Sequence, residues 1–211
     1  MFFQVVFIAL LALLPMVNPP TTATLLLGLS KGMSREHVRR QINLAAIYLF
    51  ATLCVSFFIG SSILDLFGIS IPGLRLAGGL IIAFIGFRML FPAPSQSAGV
   101  DINQSIAFVP LTMPSMCGPG TMALVISGAA QIAELPDEYN RFVIYAAMVT
   151  AFALMSLLSW GVLKLADPVC KILGATGIDA MTRIMGFLLV CMGMQFCING
   201  IKEVAQDPVF H

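Results

Sequence analysis

Apolar residues run along this chain in long blocks rather than in the alternations that mark half-buried strands or the faces of soluble helices. The blocks fall at about 2–29, 43–67, 73–91, 105–132, 142–166 and 183–201. A stretch of about 20 apolar residues is the length that carries an α-helix across a bilayer, so six transmembrane helices are predicted. The separators are polar or rich in turn formers: "KGMSREHVRRQ", "FGISIPG", "PAPSQSAGVDINQ", "AELPDEYNR" and "ADPVCKILGATGID". No strand is expected, and the fold class read from the pattern is an all-α membrane protein.

Composition agrees. Of 211 residues 59% are hydrophobic and 10% charged, with a mean hydropathy of +0.97. A soluble domain of this size needs far more polar surface to cover itself. The net charge of +1 points to no nucleic-acid partner. The start, "MFFQVVFIALLALL", has neither a basic n-region nor a small-residue cleavage site and is read as a retained span. Cys54, Cys117, Cys170, Cys191 and Cys197 lack zinc or redox spacing and read as small hydrophobes.

Charge sets the expected orientation. If the first, third and fifth connections share a side, that side holds Lys31, Arg35, Arg39, Arg40, Arg88, Lys164, Lys171 and Arg183 of the eleven basic residues. Arg75, Arg141 and Lys202 fall opposite. The positive-inside rule then turns both termini to the periplasm. Arg75, Arg88 and Arg183 lie near span ends, where snorkelling accounts for them.

The chain also resembles itself. "VNPPTTATLLLGL" from Val17 matches "MCGPGTMALVISG" from Met116 at an offset of 99, aligning Pro20 with Pro119 and Thr22 with Thr121. "GGLIIAFIGFRM" matches "MGFLLVCMGMQF" at an offset of 107, aligning Gly79 with Gly186 and Gly86 with Gly193. Span one thus pairs with span four and span three with span six. Three spans per half is an odd number, so the halves cross the membrane in opposite senses. The expected organisation is an inverted repeat: residues 1–92, a polar linker at 93–104, and residues 105–211.

Proline interrupts both first spans of these halves. Span one carries Pro15, Pro19 and Pro20 around Asn18; span four carries Pro110, Pro114 and Pro119. Irregular backbone at membrane depth is tolerated only where protein or a watery cavity satisfies it. Span one is therefore read as half-helices Phe2–Leu14 and Pro20–Ser30, with Asn18 capping the second or offering its amide to a ligand, and Pro119 opens the second piece of span four. A half-helix N-terminus presents free N–H groups and a positive dipole end, and paired breaks in corresponding spans point to a transporter site.

The candidate substrate site is Asn18, Pro19, Pro20, Thr21 and Thr22 with Ser115, Cys117, Gly118, Pro119, Gly120 and Thr121. It suits a small anion or carboxylate, with hydroxyls to bond an amino group. The plainer alternative is that the prolines only kink two helices for packing. No acidic residue sits at a span centre, which disfavours a midplane proton carrier and leaves sodium coupling open. Gln195 and Asn199 are read as pathway-lining or interhelical groups, Asn43 as a helix-end residue, and Trp160, Tyr139 and Tyr145 as interfacial. Gly78, Gly79, Ala83 and Gly86 suit close helix packing.

Catalysis is not expected. Only His37 and His211 are present, with no HExxH, GxSxG or phosphate loop, and no metal or other cofactor is implied. Secondary transport of a small solute is the favoured reading. Export of another small molecule and a non-transporting assembly or regulatory role are the alternatives. Oligomerisation is open.

The segments "NPPTT" at 18–22, "FGISIPGLRLAGGLIIAFIGFRMLFP" at 67–92, "IAFVPLTMPSMCGPGTMALVIS" at 106–127 and "RIMGFLLVCMGMQFCINGI" at 183–201 resemble the MarC (UPF0056-type) family of bacterial multi-pass inner-membrane proteins over essentially the whole chain. Asn18 keeps the Asp or Asn that the family commonly carries before its first proline, whereas Met116 and Cys117 stand where smaller residues are usual. Relatives of the family include small neutral amino acid transporters, so the resemblance implies glycine or alanine as substrate and the inner membrane as location.

Overall fold

The computed structural model describes residues 2–30, 32–91, 105–133, 135–136 and 140–206. The linker 93–104, Lys31, Tyr139 and His211 lie outside the described residues. Within them the chain is all helical: α1 (Phe2–Val17), α2 (Pro19–Leu29), α3 (Arg35–Leu66), α4 (Ile71–Leu90), an irregular wide-turned segment (Ala107–Met116), α5 (Pro119–Ala133), α6 (Arg141–Lys164) and α7 (Ala166–Gln206). Five helical stretches are long and apolar enough to span a membrane. The Ala107–Met116 segment and α5, bent by 64° at their junction, make a sixth if taken as one broken span.

Local chemistry sets most helix ends. Ser70 accepts from the Gly73 N–H at 3.2 Å and Asn140 from the Val143 N–H at 3.4 Å, each capping the helix that follows. Two expected boundaries move. The charged run after span one is not all loop, because α3 starts at Arg35, with Ser34 accepting from the His37 N–H at 3.2 Å and Glu36 in the first turn. A cap and an acidic first turn start a helix whatever its polarity, so polarity marked the membrane edge rather than the helix end. Asn43 consequently sits inside α3, where its Oδ1 accepts from Trp160 Nε1 at 2.8 Å. The connection read at 166–179 is also helical, broken only at Gly174, whose φ of 63° and ψ of 173° glycine alone adopts readily.

α4 and α7 pack antiparallel through glycines. A Cβ on Gly79 would lie 2.6 Å from the Gly193 carbonyl oxygen, and one on Gly193 would lie 2.5 Å from that of Gly79. Gly86 and Gly186 face each other in the same way, at 2.6 and 2.9 Å from each other's carbonyl oxygens. Small residues let the two backbones touch, which is how membrane helices gain dispersion contact where lipid offers no hydrophobic drive. A second core forms where Phe57 of α3 meets Phe152 and Tyr145 of α6 edge-on, at 5.5 and 5.6 Å between ring centroids. Large apolar side chains including Phe3, Phe84, Phe142 and Phe187 point outward, the surface a bilayer would cover.

Gly193→Ala should lower stability by about 1–3 kcal/mol, since the added methyl meets α4 backbone that cannot step aside. Gly128→Ala, with open space at its Cβ, should be neutral or slightly stabilising. Thermal unfolding of both variants in one detergent tests the contrast.

Candidate functional site

The first break is a single residue wide. Asn18 precedes Pro19, and the residue before a proline is pushed out of the right-handed helical region. It takes φ 40° and ψ 64°, a left-handed conformation that asparagine tolerates better than most residues. Its N–H closes α1 on the Leu14 carbonyl at 3.0 Å, and its own carbonyl accepts the Thr22 N–H at 3.3 Å to open α2. α1 thus runs on through Pro15 to Val17, three residues beyond the expected half-helix end at Leu14.

The same rule shapes the second break. Val109 and Met113 precede Pro110 and Pro114, and both are extended, at φ −121°, ψ 122° and φ −111°, ψ 128°. The chain keeps hydrogen bonding through wide turns, Leu111 N–H to the Ile106 carbonyl at 3.1 Å and Cys117 N–H to the Thr112 carbonyl at 2.8 Å. Pro119 then opens α5, as expected.

The two breaks meet. Thr22 Oγ1 lies 2.8 Å from Ser115 Oγ. Met16 Cε stands 2.9 Å from where a Cβ of Gly120 would be. Thr22 and Thr121 are 1% and 2% exposed, and Cys117 and Gly118 are buried with them. Two expected members face elsewhere. Pro119 is exposed, and Thr21 Oγ1 turns to Thr182 of α7 at 3.0 Å.

The donor groups are unevenly shared. Pro19 and Pro20 have no N–H, and that of Thr22 is engaged, so Thr21 keeps the one main-chain donor without a partner at the start of α2 among the described residues. The start of α5 keeps those of Gly118, Gly120 and Thr121. Asn18 does not cap α2. Its side chain makes no capping bond, and its Nδ2 is buried with no partner among the described residues. A buried amide N–H left unbonded costs about 1–3 kcal/mol.

Sequence reasoning missed three supports. Arg75 does not snorkel: it is 5% exposed, ion-paired with Glu203 of α7, and its Nε donates to Ser127 Oγ of α5 at 3.1 Å. Gln41, read as part of a charged loop, is 3% exposed, and its Oε1 accepts from Ser105 Oγ at 2.9 Å and the Ala107 N–H at 3.0 Å. Thr112 Oγ1 donates to the Ala45 carbonyl at 3.3 Å or to that of Ala107 at 2.7 Å, tying the irregular segment to α3. Gln195 and Asn199 are exposed and bond each other within α7 at 2.9 Å rather than across helices.

Glu203→Gln should destabilise more than Arg75→Met. The first leaves a buried guanidinium without its carboxylate, and the second leaves a partly exposed carboxylate that water can reach. The difference, about 1–2 kcal/mol after discounting for that exposure, is read from melting of the two variants.

Comparison with known proteins follows the same outline. A family model described as MarC family integral membrane protein matches residues 3–205. The UPF0056 inner membrane protein MarC of Escherichia coli O1:K1 is 46% identical over 213 residues, covering 96% of each chain. Its counterpart in Escherichia coli strain K12 is 45% identical with the same coverage. No solved structure matches.

Proposed function

This chain belongs to the MarC family of integral membrane proteins, and from that premise we propose that it is a secondary transporter of a small solute, working in the inner membrane named for its relatives. The carrying observation is the orphaned Asn18 amide, buried where two broken helices meet. A buried polar group with no partner is a cost that a ligand can remove. The unpartnered N–H groups of Gly118, Gly120 and Thr121 and the Asn18 Nδ2 are donors that suit a carboxylate, and the Thr22 and Ser115 hydroxyls can accept from the amino group of a small molecule such as glycine or alanine. Met16 Cε, the end of a flexible side chain, stands beside Gly120 and narrows the space there. Neither catalysis nor a bound cofactor enters this reading. Sodium remains the candidate coupling ion, since hydroxyl and carbonyl oxygens suffice to hold it.

The reading includes two inverted halves. What supports it is reciprocity in the α4–α7 contact. The offset of 107 that aligns Gly79 with Gly186 and Gly86 with Gly193 converts the Gly79–Gly193 contact into the Gly186–Gly86 contact. The offset of 99 aligns Ser115 with Met16, and each of these packs against the opening turn of the other half's second helix, at Thr22 and at Gly120. Rocking one half against the other about such an axis would alternate access to the breaks, with both termini on the periplasmic side by the charge rule.

Uptake of labelled glycine and alanine into proteoliposomes, with and without an inward sodium gradient, tests the proposal. Asn18→Gly keeps the left-handed backbone available while removing the amide. It should reduce flux at least about tenfold, the worth of one charge-assisted hydrogen bond, with insertion intact. No uptake by folded wild-type protein would sink the amino acid reading and favour export of another solute or a non-transporting role.

A further inference from the structure

The end of α2, the first turns of α3 and the α6–α7 junction enclose a cleft of about 890 Å³. Its two parts differ in chemistry. The floor is apolar and buried, made by Leu26, Ile42 and Leu163. The rim carries Arg35, Arg39 and Lys164, all exposed, with Asp167 as its one carboxylate. Among the described residues the one ion pair is Arg75 with Glu203, away from the cleft lining, so these three cations have no carboxylate of a described residue at bonding distance. Lys164 Nζ lies 4.4 Å from the centre of the Trp160 ring, whose Nε1 donates to Asn43. Trp160 lines the neighbouring groove beside this cleft, and tryptophan is enriched at the level of lipid headgroups.

We propose that this cleft is a site for an anionic phospholipid, its phosphate held between Arg35, Arg39 and Lys164 and one acyl chain laid along the Leu26–Ile42–Leu163 floor. The argument is complementarity of both parts at once. A free small anion would use the rim and leave the apolar floor wet, and a neutral lipid would use the floor and leave three cations uncompensated. An anionic amphiphile satisfies both. The two arginines lie four residues apart on one face of α3, so they can grip the same phosphate. The inference does not rest on the transport reading.

The chain supplies its own reporter, because Trp160 is its single tryptophan. The full-length protein is placed in vesicles of unlabelled phosphatidylcholine with small fractions of chain-brominated phosphatidylglycerol or chain-brominated phosphatidylcholine. Brominated phosphatidylglycerol should quench Trp160 with about five-fold or greater preference over its neutral counterpart, the factor expected of one well-placed cation. Arg39→Gln should lower that preference about five-fold and Arg35→Gln with Arg39→Gln should lower it further, with melting temperature and unquenched emission as folding checks. Arg40→Gln removes the same charge from the same exposed end of α3 but does not line the cleft, and it should keep the preference. Equal quenching by the two lipids in the wild type would overturn the site. So would an Arg40→Gln effect as large as that of Arg39→Gln, which would mean general surface charge.

Discussion

Hydrocarbon offers no hydrogen bonds, so each main-chain N–H and C=O within the span must find its partner inside the protein or in a cavity that protein shields from lipid. That constraint decides where this chain can afford to be irregular. Its two interruptions lie against each other and under other helices, with Thr22 against Ser115, Gln41 holding the first N–H of the irregular segment, and Thr112 reaching Ala45. Neither break would survive facing lipid. The glycine contact between α4 and α7 follows from the same physics. With no gain from sequestering apolar side chains from lipid, packing must come from close backbone approach, and Gly79, Gly86, Gly186 and Gly193 permit it.

The features easiest to read from sequence were those that act over many residues or through one rigid one. Hydropathy located the spans because length and apolarity are summed along the chain. Proline located the breaks because it removes a donor and restrains the residue before it. Asn18, Val109 and Met113 all leave helical geometry one position ahead of a proline. The pairing of the breaks was visible as the repeat of Pro20 and Thr22 in Pro119 and Thr121, and Thr22 does meet the second break, at Ser115.

What sequence could not give was partnership across distance. Arg75 looked like an end-of-span cation because nothing near it in sequence has the opposite charge; its carboxylate partner, Glu203, is on α7. Gln41 looked like surface because its neighbours are charged, yet a helix has two faces, and one of them turns inward to Ser105 and Ala107. The one available signal was local: His37 and Gln41 stand four residues apart, at helical spacing, and bond each other at 3.1 Å. The helical stretch before Gly174 was hidden for the opposite reason, since its Gly, Pro and charged residues are loop-like in composition although Pro168 falls in the first turn of α7, where a missing N–H costs nothing.

The two breaks are alike in position but not in chemistry, and the difference comes from one proline and one engaged N–H. Pro20 and Pro119 correspond and each lacks an N–H, but Pro19 removes a donor where Gly118 keeps one, and the Thr22 N–H is engaged by Asn18 where that of Thr121 has no partner among the described residues. A site built from these parts would be uneven: free main-chain N–H groups lie chiefly at the start of α5, the Asn18 amide N–H precedes α2, and the Thr22 and Ser115 hydroxyls, one from each break, are the groups able to accept. Proline at 19 against glycine at 118 makes the two breaks unequal in donors while both helices stay interrupted. Such a division suits a ligand whose two ends differ, one an anion and the other a donor or a small uncharged group.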